Sequence, residues 1–273
     1  MDDPTAYCLA TIPETLSSNA AEQRDAVVYD SSEYGEFQIR RAVKFIQRTL
    51  DYKEAVYSRS IPVDRTKAGP LCMHQYDCIF GMTRIPRQGC DELLQATSPS
   101  TLHTIIVIAD DQIYAVEVYD GAGHRKLDGD LEAELHVIVA DVARRREGGD
   151  LDPPVTVLTA GHRDRWSLAY AILEQSPKSR ATLTAIQNSL FAVSLDTTYC
   201  SPTGSINAQQ QCLKFHGMRP GHNRWYDKCA SYVFDRNGSA GYVGEHSPCD
   251  ALIPAIMLEE VAKNVARDSI VRG

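Results

Sequence analysis

Two short runs rich in β-branched residues, 103–109 and 112–119, are separated by only a pair of aspartates. Runs of this length around a polar turn are typical of paired β-strands. A second pair, 230–234 and 240–244, is joined by a segment that contains an Asn-Gly dipeptide. This dipeptide between two apolar runs is a strong hairpin signal. Any fold for this chain must therefore contain a sheet with adjacent antiparallel strands.

Helical periodicity surrounds these strands. Within 36–58, Ile39, Val43, Ile46 and Leu50 recur at steps of four, three and four residues, which is one face of a long helix. Similar patterns predict helices at 131–142, 164–174, 179–190 and 252–267, and short apolar runs predict strands at 155–158 and 191–195. Strands and helices that alternate in this way predict an α/β fold with a mixed sheet.

Composition excludes several classes of protein. The chain has 28 Lys and Arg against 36 Asp and Glu, a formal net charge of -8, which disfavours a nucleic-acid partner. There is no run of about eighteen apolar residues, so we expect no membrane span. The N-terminal region has no apolar core of the kind that secretory signals carry. The eight cysteines include no C-x-x-C pair, and we expect reduced thiols in a cytoplasmic compartment.

Metal-binding and nucleotide-binding motifs have no support. Cys72, His74, Asp77 and Cys78 lie close in sequence but fit no usual zinc spacing, so we expect no metal site. The Gly-x-Ser-x-Gly elbow of many hydrolases is missing from the sequence, as is a phosphate-binding Gly-x-x-x-x-Gly-Lys loop.

His246 is the strongest candidate for chemistry. It follows the second strand of the predicted hairpin and precedes the last predicted helix, so rigid backbone would hold it on both sides, as a general base requires. Glu245 and Asp250 could orient it or tune its pKa. The alternative is an ordinary loop histidine satisfied by Asp250, the predicted N-cap of the helix. Spacing alone favours this alternative.

Several separated blocks resemble the choline/carnitine O-acyltransferase family. They are Pro-Leu-Cys-Met to Arg-x-Pro in 70–86, His-Arg-x-x-Trp in 155–195, and, in 223–251, Asn-Arg-Trp-Tyr-Asp-Lys followed by Glu-His-Ser-x-x-Asp. The blocks occur in the family's order, and the match runs from about Val27 to the C-terminus. We therefore expect an irregular N-terminal segment over 1–26 and an acyltransferase domain over 27–273.

The resemblance implies a fold and a reaction. The fold would be like that of chloramphenicol acetyltransferase, a mixed sheet flanked by helices, as one of two domains that face each other. His246 aligns with the family's general base. It would take the proton from the hydroxyl of carnitine, choline or another polar alcohol, which attacks an acyl-CoA or acyl-carrier thioester. Asp250 and Glu245 would support the histidine. Coenzyme A would be a substrate, with no permanently bound cofactor.

The sequence departs from the family in one important respect. The family's Ser-Thr-Ser segment, its CoA-binding residues and its acceptor-binding residues have no counterpart here. We expect them in a C-terminal domain of the same enzyme, and we expect this chain alone to be inactive. The alternatives are a non-catalytic module, a module that releases acyl groups from a carrier protein, and a thioesterase in which His246 activates water.

Overall fold

The computed structural model describes residues 6–9, 31–197, 221–236 and 238–271. Two 3₁₀ helices, at Pro99–Thr101 and Val155–Ala160, accompany the regular elements. In chain order, the strands and α-helices are β1 (Ala6–Leu9), α1 (Ser31–Tyr57), β2 (Arg65–Thr66), β3 (Gly69–Pro70), α2 (His74–Asp77), β4 (Met82–Ile85), β5 (Glu92–Gln95), β6 (Thr104–Ala109), β7 (Gln112–Glu117), α3 (Asp128–Gly148), α4 (Arg163–Leu173), α5 (Pro177–Gln187), β8 (Ala192–Leu195), β9 (Ala230–Phe234), β10 (Ala240–Glu245) and α6 (Leu252–Val271).

The central sheet is mixed, as the sequence predicts. Its six strands lie in the order β1-β10-β9-β8-β6-β7. Strands β6, β8 and β9 are parallel, whereas β7, β10 and β1 run antiparallel to their neighbours. Asp110 and Asp111 form the turn between β6 and β7 with φ of 49° and 64°. This left-handed pair is the backbone that a two-residue hairpin prefers.

Helices cover both faces of the sheet. On one face, α1, α3 and α6 bury a large apolar core against alternate residues of the strands, among them Val107, Val193 and Tyr232. On the other face, α4 and α5 pack over Ile106 and Ile108 of β6. The period-two alternation along β6 thus feeds two separate cores.

The five helices predicted from periodicity are present. Helix α3 ends as its sequence suggests, with Arg145 and Arg146 in the last turn and Gly149 in a left-handed conformation after it. The Gly149 and Asp150 amides donate to the carbonyls of Arg146 and Arg145 at 3.2 and 2.8 Å, which satisfies the helix end. None of the described helices combines the length and the apolar character that a membrane crossing requires.

Two local predictions differ from the structure. The strand predicted at 155–158 is wrong, because Val155–Ala160 is a 3₁₀ helix. The Val155 and Val157 amides donate to the carbonyls of Pro153 and Pro154, so local turns replace sheet pairing. Ala6–Leu9 forms a strand that pairs with β10, although we expected residues 1–26 to be irregular. The sequence also predicts loops at 196–206 and 216–223 with a short helix between them, and most of this segment lies outside the described residues.

The direction of β10 decides where its end lies. Gly244 pairs with Ala230, the first residue of β9, so β10 ends beside the amino ends of the parallel strands. At the opposite end, Ala109 and Leu195 close β6 and β8 and line a small cavity of about 160 Å³. The residue after β10 is therefore separated from this cavity by the length of the sheet.

Candidate functional site

His246 is the first residue after β10. Its side chain is 35% exposed, whereas Glu245 immediately before it is 4% exposed. A half-open imidazole at the end of a buried strand can reach a substrate while its backbone stays fixed. The structure therefore places His246 between β10 and α6, as the sequence analysis expects.

Asp250 lies next to the imidazole without a hydrogen bond to it. Its Oδ1 is 4.0 Å from His246 Nε2, and its side chain is 70% exposed. The Asp250 backbone amide donates to Gln75 Oε1 at 2.8 Å. This contact attaches the loop after His246 to helix α2. Asp250 can stabilise a protonated imidazole modestly, since solvent screens an exposed pair.

Glu245 is hydrogen-bonded to Ser247, the residue on the other side of His246. Its Oε2 accepts the Ser247 amide at 2.9 Å, and its Oε1 accepts the Ser247 hydroxyl at 2.8 Å. The same Oε1 accepts a hydrogen bond from Arg84 Nη1 at 3.2 Å. The two residues that flank His246 are thus tied to each other and to β4.

A network of buried charged side chains continues from Arg84 towards the core that α4 and α5 cover. Arg84 Nε and Arg163 Nε both donate to Asp91 Oδ2 at 2.6 Å. Arg163 Nη1 then donates to Asp227 Oδ1 at 2.7 Å, and Trp166 Nε1 donates to Asp227 Oδ2 at 2.6 Å. Hydrogen bonds between ions of this kind are stronger than neutral ones and fix geometry.

The network joins the separated blocks on which the family resemblance depends. Arg84 belongs to Arg-x-Pro, Arg163 to His-Arg-x-x-Trp, and Asp227 to Asn-Arg-Trp-Tyr-Asp-Lys. Sequence analysis noted these blocks but assigned no role to the three residues. The available signal was that each of the three charged residues lies within one of these blocks. Burial raises the pKa of Asp227 to about 6 against the opposing effect of Arg163.

Three buried thiols lie close together, and one of them, Cys249, belongs to the loop that follows His246. Cys78, Cys229 and Cys249 form a buried cluster with Met82. The Cys229 thiol hydrogen-bonds to Cys249, which raises the pKa of Cys229 and lowers that of Cys249. Cys72, Cys78, Cys90, Cys229 and Cys249 are free thiols. Within those ranges, no group of three or more His, Cys, Asp and Glu side chains is arranged to hold a metal ion.

Comparison with known proteins agrees with the arrangement of the blocks. A model of the family described as Choline/Carnitine o-acyltransferase matches residues 3–271. The chain is 34% identical over 241 residues to choline O-acetyltransferase of Gallus gallus, covering 85% of this chain and 37% of that protein. It is 32% identical over 241 residues to human choline O-acetyltransferase, covering 85% of this chain and 31% of that protein.

A carnitine O-acetyltransferase is similar over the same extent. Identity to human carnitine O-acetyltransferase is 28% over 242 residues, covering 86% of this chain and 38% of that protein. The matched region is thus well under half the length of each of these relatives.

Proposed function

Because the chain belongs to the choline/carnitine O-acyltransferase family, we propose that it is the histidine-bearing part of an enzyme that transfers an acyl group from a CoA thioester to an alcohol. The observation that carries this proposal is the position of His246. A half-exposed imidazole stands at the end of a buried strand, and its two neighbours are tied together by Glu245. This is the geometry expected of a general base.

In the proposed reaction, His246 takes the proton of the acceptor hydroxyl. The hydroxyl oxygen attacks the thioester carbonyl, the carbon–sulfur bond breaks, and the imidazolium returns the proton to the departing CoA sulfur. An ester and free CoA result, and no acyl-enzyme forms. Asp250, whose Oδ1 lies 4.0 Å from His246 Nε2, would support the histidine in this step.

The oxyanion that forms during attack needs hydrogen-bond donors of its own, and these often supply a larger share of catalysis than the base. We propose that these donors, and the CoA-binding residues, come from a further domain of the same enzyme. The matched region covers only 31–38% of the relatives compared here, which supports this division of labour.

Choline is the first acceptor to test. The two choline O-acetyltransferases are 34% and 32% identical to the chain, against 28% for the carnitine enzyme. The Glu-His-Ser-Pro segment also favours a choline-type acceptor. We further propose a reducing, cytoplasmic compartment, supported by the free thiols of the described cysteines.

The test is CoA release from acetyl-CoA by the complete gene product, with choline, with carnitine and with no alcohol. We expect release only with an alcohol, and His246→Ala should lower kcat by at least about 100-fold. The matched control is His124→Ala, which removes an exposed histidine from a loop. Equal release without alcohol would indicate a thioesterase instead, and full activity of a folded His246→Ala variant would contradict the assigned base.

A further inference from the structure

Arg84 lies on β4 and contacts Glu245, the residue before His246. Arg84 and Glu245 are 161 residues apart in sequence. The arginine side chain is mostly buried, and its Nη1 donates to Glu245 Oε1 at 3.2 Å. Arg84 therefore contacts the carboxylate that closes the chain around the proposed base.

Glu245 depends on a cation for this task. Its carboxylate is buried, and a buried carboxylate without a charged partner either takes a proton or moves towards water. In either case it would lose part of its ability to accept from both the amide and the hydroxyl of Ser247. The turn that contains His246 would then have more than one conformation available.

Arg84 is itself held from a second direction. Its Nε donates to Asp91 Oδ2 at 2.6 Å, and that oxygen also accepts from Arg163 Nε at 2.6 Å. Arg163 lies at the start of α4 and is bonded to buried Asp227. The guanidinium plane of Arg84 is consequently fixed relative to the core on which α4 packs.

From this chain of contacts we propose that Arg84 is a positioning residue for His246, acting through Glu245 and Ser247. The proposal rests on the proposed function for its catalytic consequence, but its structural step can be measured without activity. The planar guanidinium of Arg84 holds two carboxylates in a fixed geometry through its Nε and Nη1 atoms. A lysine at the same position would supply the charge without this planar arrangement of donors.

The structural step is tested by amide hydrogen exchange on the 273-residue chain. In Arg84→Met we expect the Ser247 amide to exchange at least about tenfold faster, with Arg84→Lys in between. The matched control is Arg87→Met, which removes a more exposed arginine of the same segment that pairs with Glu92. If Arg84→Met does not fold, Glu245→Gln tests the same link.

The catalytic step is tested by a double-mutant cycle in the complete gene product. Arg84→Met should lower kcat about 10- to 100-fold with the KM values for both substrates little changed, and Arg84→Lys should recover part of the loss. In a His246→Ala background, Arg84→Met should cause no further loss, because a positioning residue has no effect once its target is gone.

The outcomes separate the two proposals. Unchanged exchange at Ser247 overturns the inference, and so does an equal loss of kcat in the presence and absence of His246. Faster exchange with unaltered kcat also overturns it, since the turn would then be loosened without consequence. If the unmodified gene product transfers no acyl group, the proposed function fails, and the exchange experiment alone decides whether Arg84 orders the turn.

Discussion

Lys228 shows how far a single side chain departs from its ordinary behaviour in this fold. It is 1% exposed, and its Nζ donates to Thr83 Oγ1 at 3.0 Å and to the Ile186 carbonyl at 2.9 Å. Both acceptors are neutral, so neither supplies a negative charge to offset the cost of burying an ammonium group. Burial lowers the pKa of Lys228 to about 7.

This pKa predicts a pH-dependent stability. Between pH 7 and the ordinary lysine range, the unfolded chain binds a proton that the folded Lys228 releases, so the free energy of unfolding rises with pH. We expect Lys228 to contribute a rise on the order of a few kcal/mol, which Lys228→Met abolishes. Urea unfolding from pH 7 to 10 measures it, with exposed Lys178→Met as the control. Identical pH slopes for wild type and Lys228→Met would contradict this assignment.

Two buried tryptophans differ in what their indoles contribute. Trp166 and Trp225 pack edge to face with ring centroids 5.9 Å apart, but only Trp166 bonds to Asp227. Trp225 Nε1 is buried without a hydrogen bond to any described residue. Trp225 is a core residue, whereas Tyr226 is half-buried against Val233 and Val243.

We therefore expect the change from tryptophan to phenylalanine to lower the free energy of unfolding by different amounts at the two positions. Trp166→Phe should cost about 1.5–3 kcal/mol, because it takes a donor from a buried carboxylate. Trp225→Phe should cost less than about 1.5 kcal/mol, while Trp225→Ala should cost about 3–5 kcal/mol through the cavity it leaves. Chemical denaturation of the three variants checks this order, and a larger cost for Trp225→Phe than for Trp166→Phe would reverse the interpretation.

At the scale of elements, the hairpin that leads to His246 depends on one glycine. Gly238 has a φ of +72°, and an added Cβ would lie 2.4 Å from Phe37 Cδ1 of helix α1. Its amide donates to the Asp235 carbonyl at 2.8 Å, which closes the turn between β9 and β10. A side chain here meets both a left-handed backbone and a neighbouring ring.

Gly238→Ala should consequently lower the free energy of unfolding by about 1–2 kcal/mol from the backbone alone. Gly129→Ala is the matched control, because that glycine lies in the first turn of α3 with nothing within 4 Å of its added Cβ. We expect the control to be neutral or slightly stabilising. Thermal or urea unfolding compares the two, and an equal effect of both substitutions would show that the turn does not require glycine.

The elements also show which parts of the fold the sequence can predict. Helices and hairpins with a clear period or turn dipeptide, such as 36–58 and 230–244, are confirmed. The strand predicted at 155–158 is wrong because a short apolar run does not reveal that local hydrogen bonds to the carbonyls of Pro153 and Pro154 form a 3₁₀ helix there. Strand β1 was missed because its four residues depend on pairing with β10 rather than on their own pattern.

The same limit applies to the site. His246 was singled out because of the family resemblance, since its spacing alone favours an ordinary loop histidine, and its role as a base stays a prediction. The contacts of Arg84, Asp91 and Arg163 join segments distant in the chain, and no periodicity marks such pairs. Asp250 was predicted beside His246 and lies 4.0 Å from it, but its proposed supporting role is a prediction that activity measurements must test.

At the scale of the whole molecule, the proposed mechanism makes a prediction about the isolated chain. A general base supplies only part of the ~8–23 kcal/mol by which enzymes lower their barriers, and oxyanion donors are expected elsewhere in the gene product. We expect the 273-residue chain to show less than about one hundredth of the kcat of the complete gene product. Steady-state assays of both with acetyl-CoA and choline decide this, and equal rates would show that the chain is self-sufficient.

The direction of β10 has a practical consequence for the discovery of inhibitors. In many α/β proteins ligands bind at the carboxyl ends of parallel strands, and the cavity beside Ala109 and Leu195 is the natural target by that rule. His246 lies at the other end, roughly 20 Å away along a six-residue strand. A compound selected for affinity to that cavity would leave the imidazole accessible, so screening should score competition with the proposed acyl acceptor rather than occupancy of this cavity.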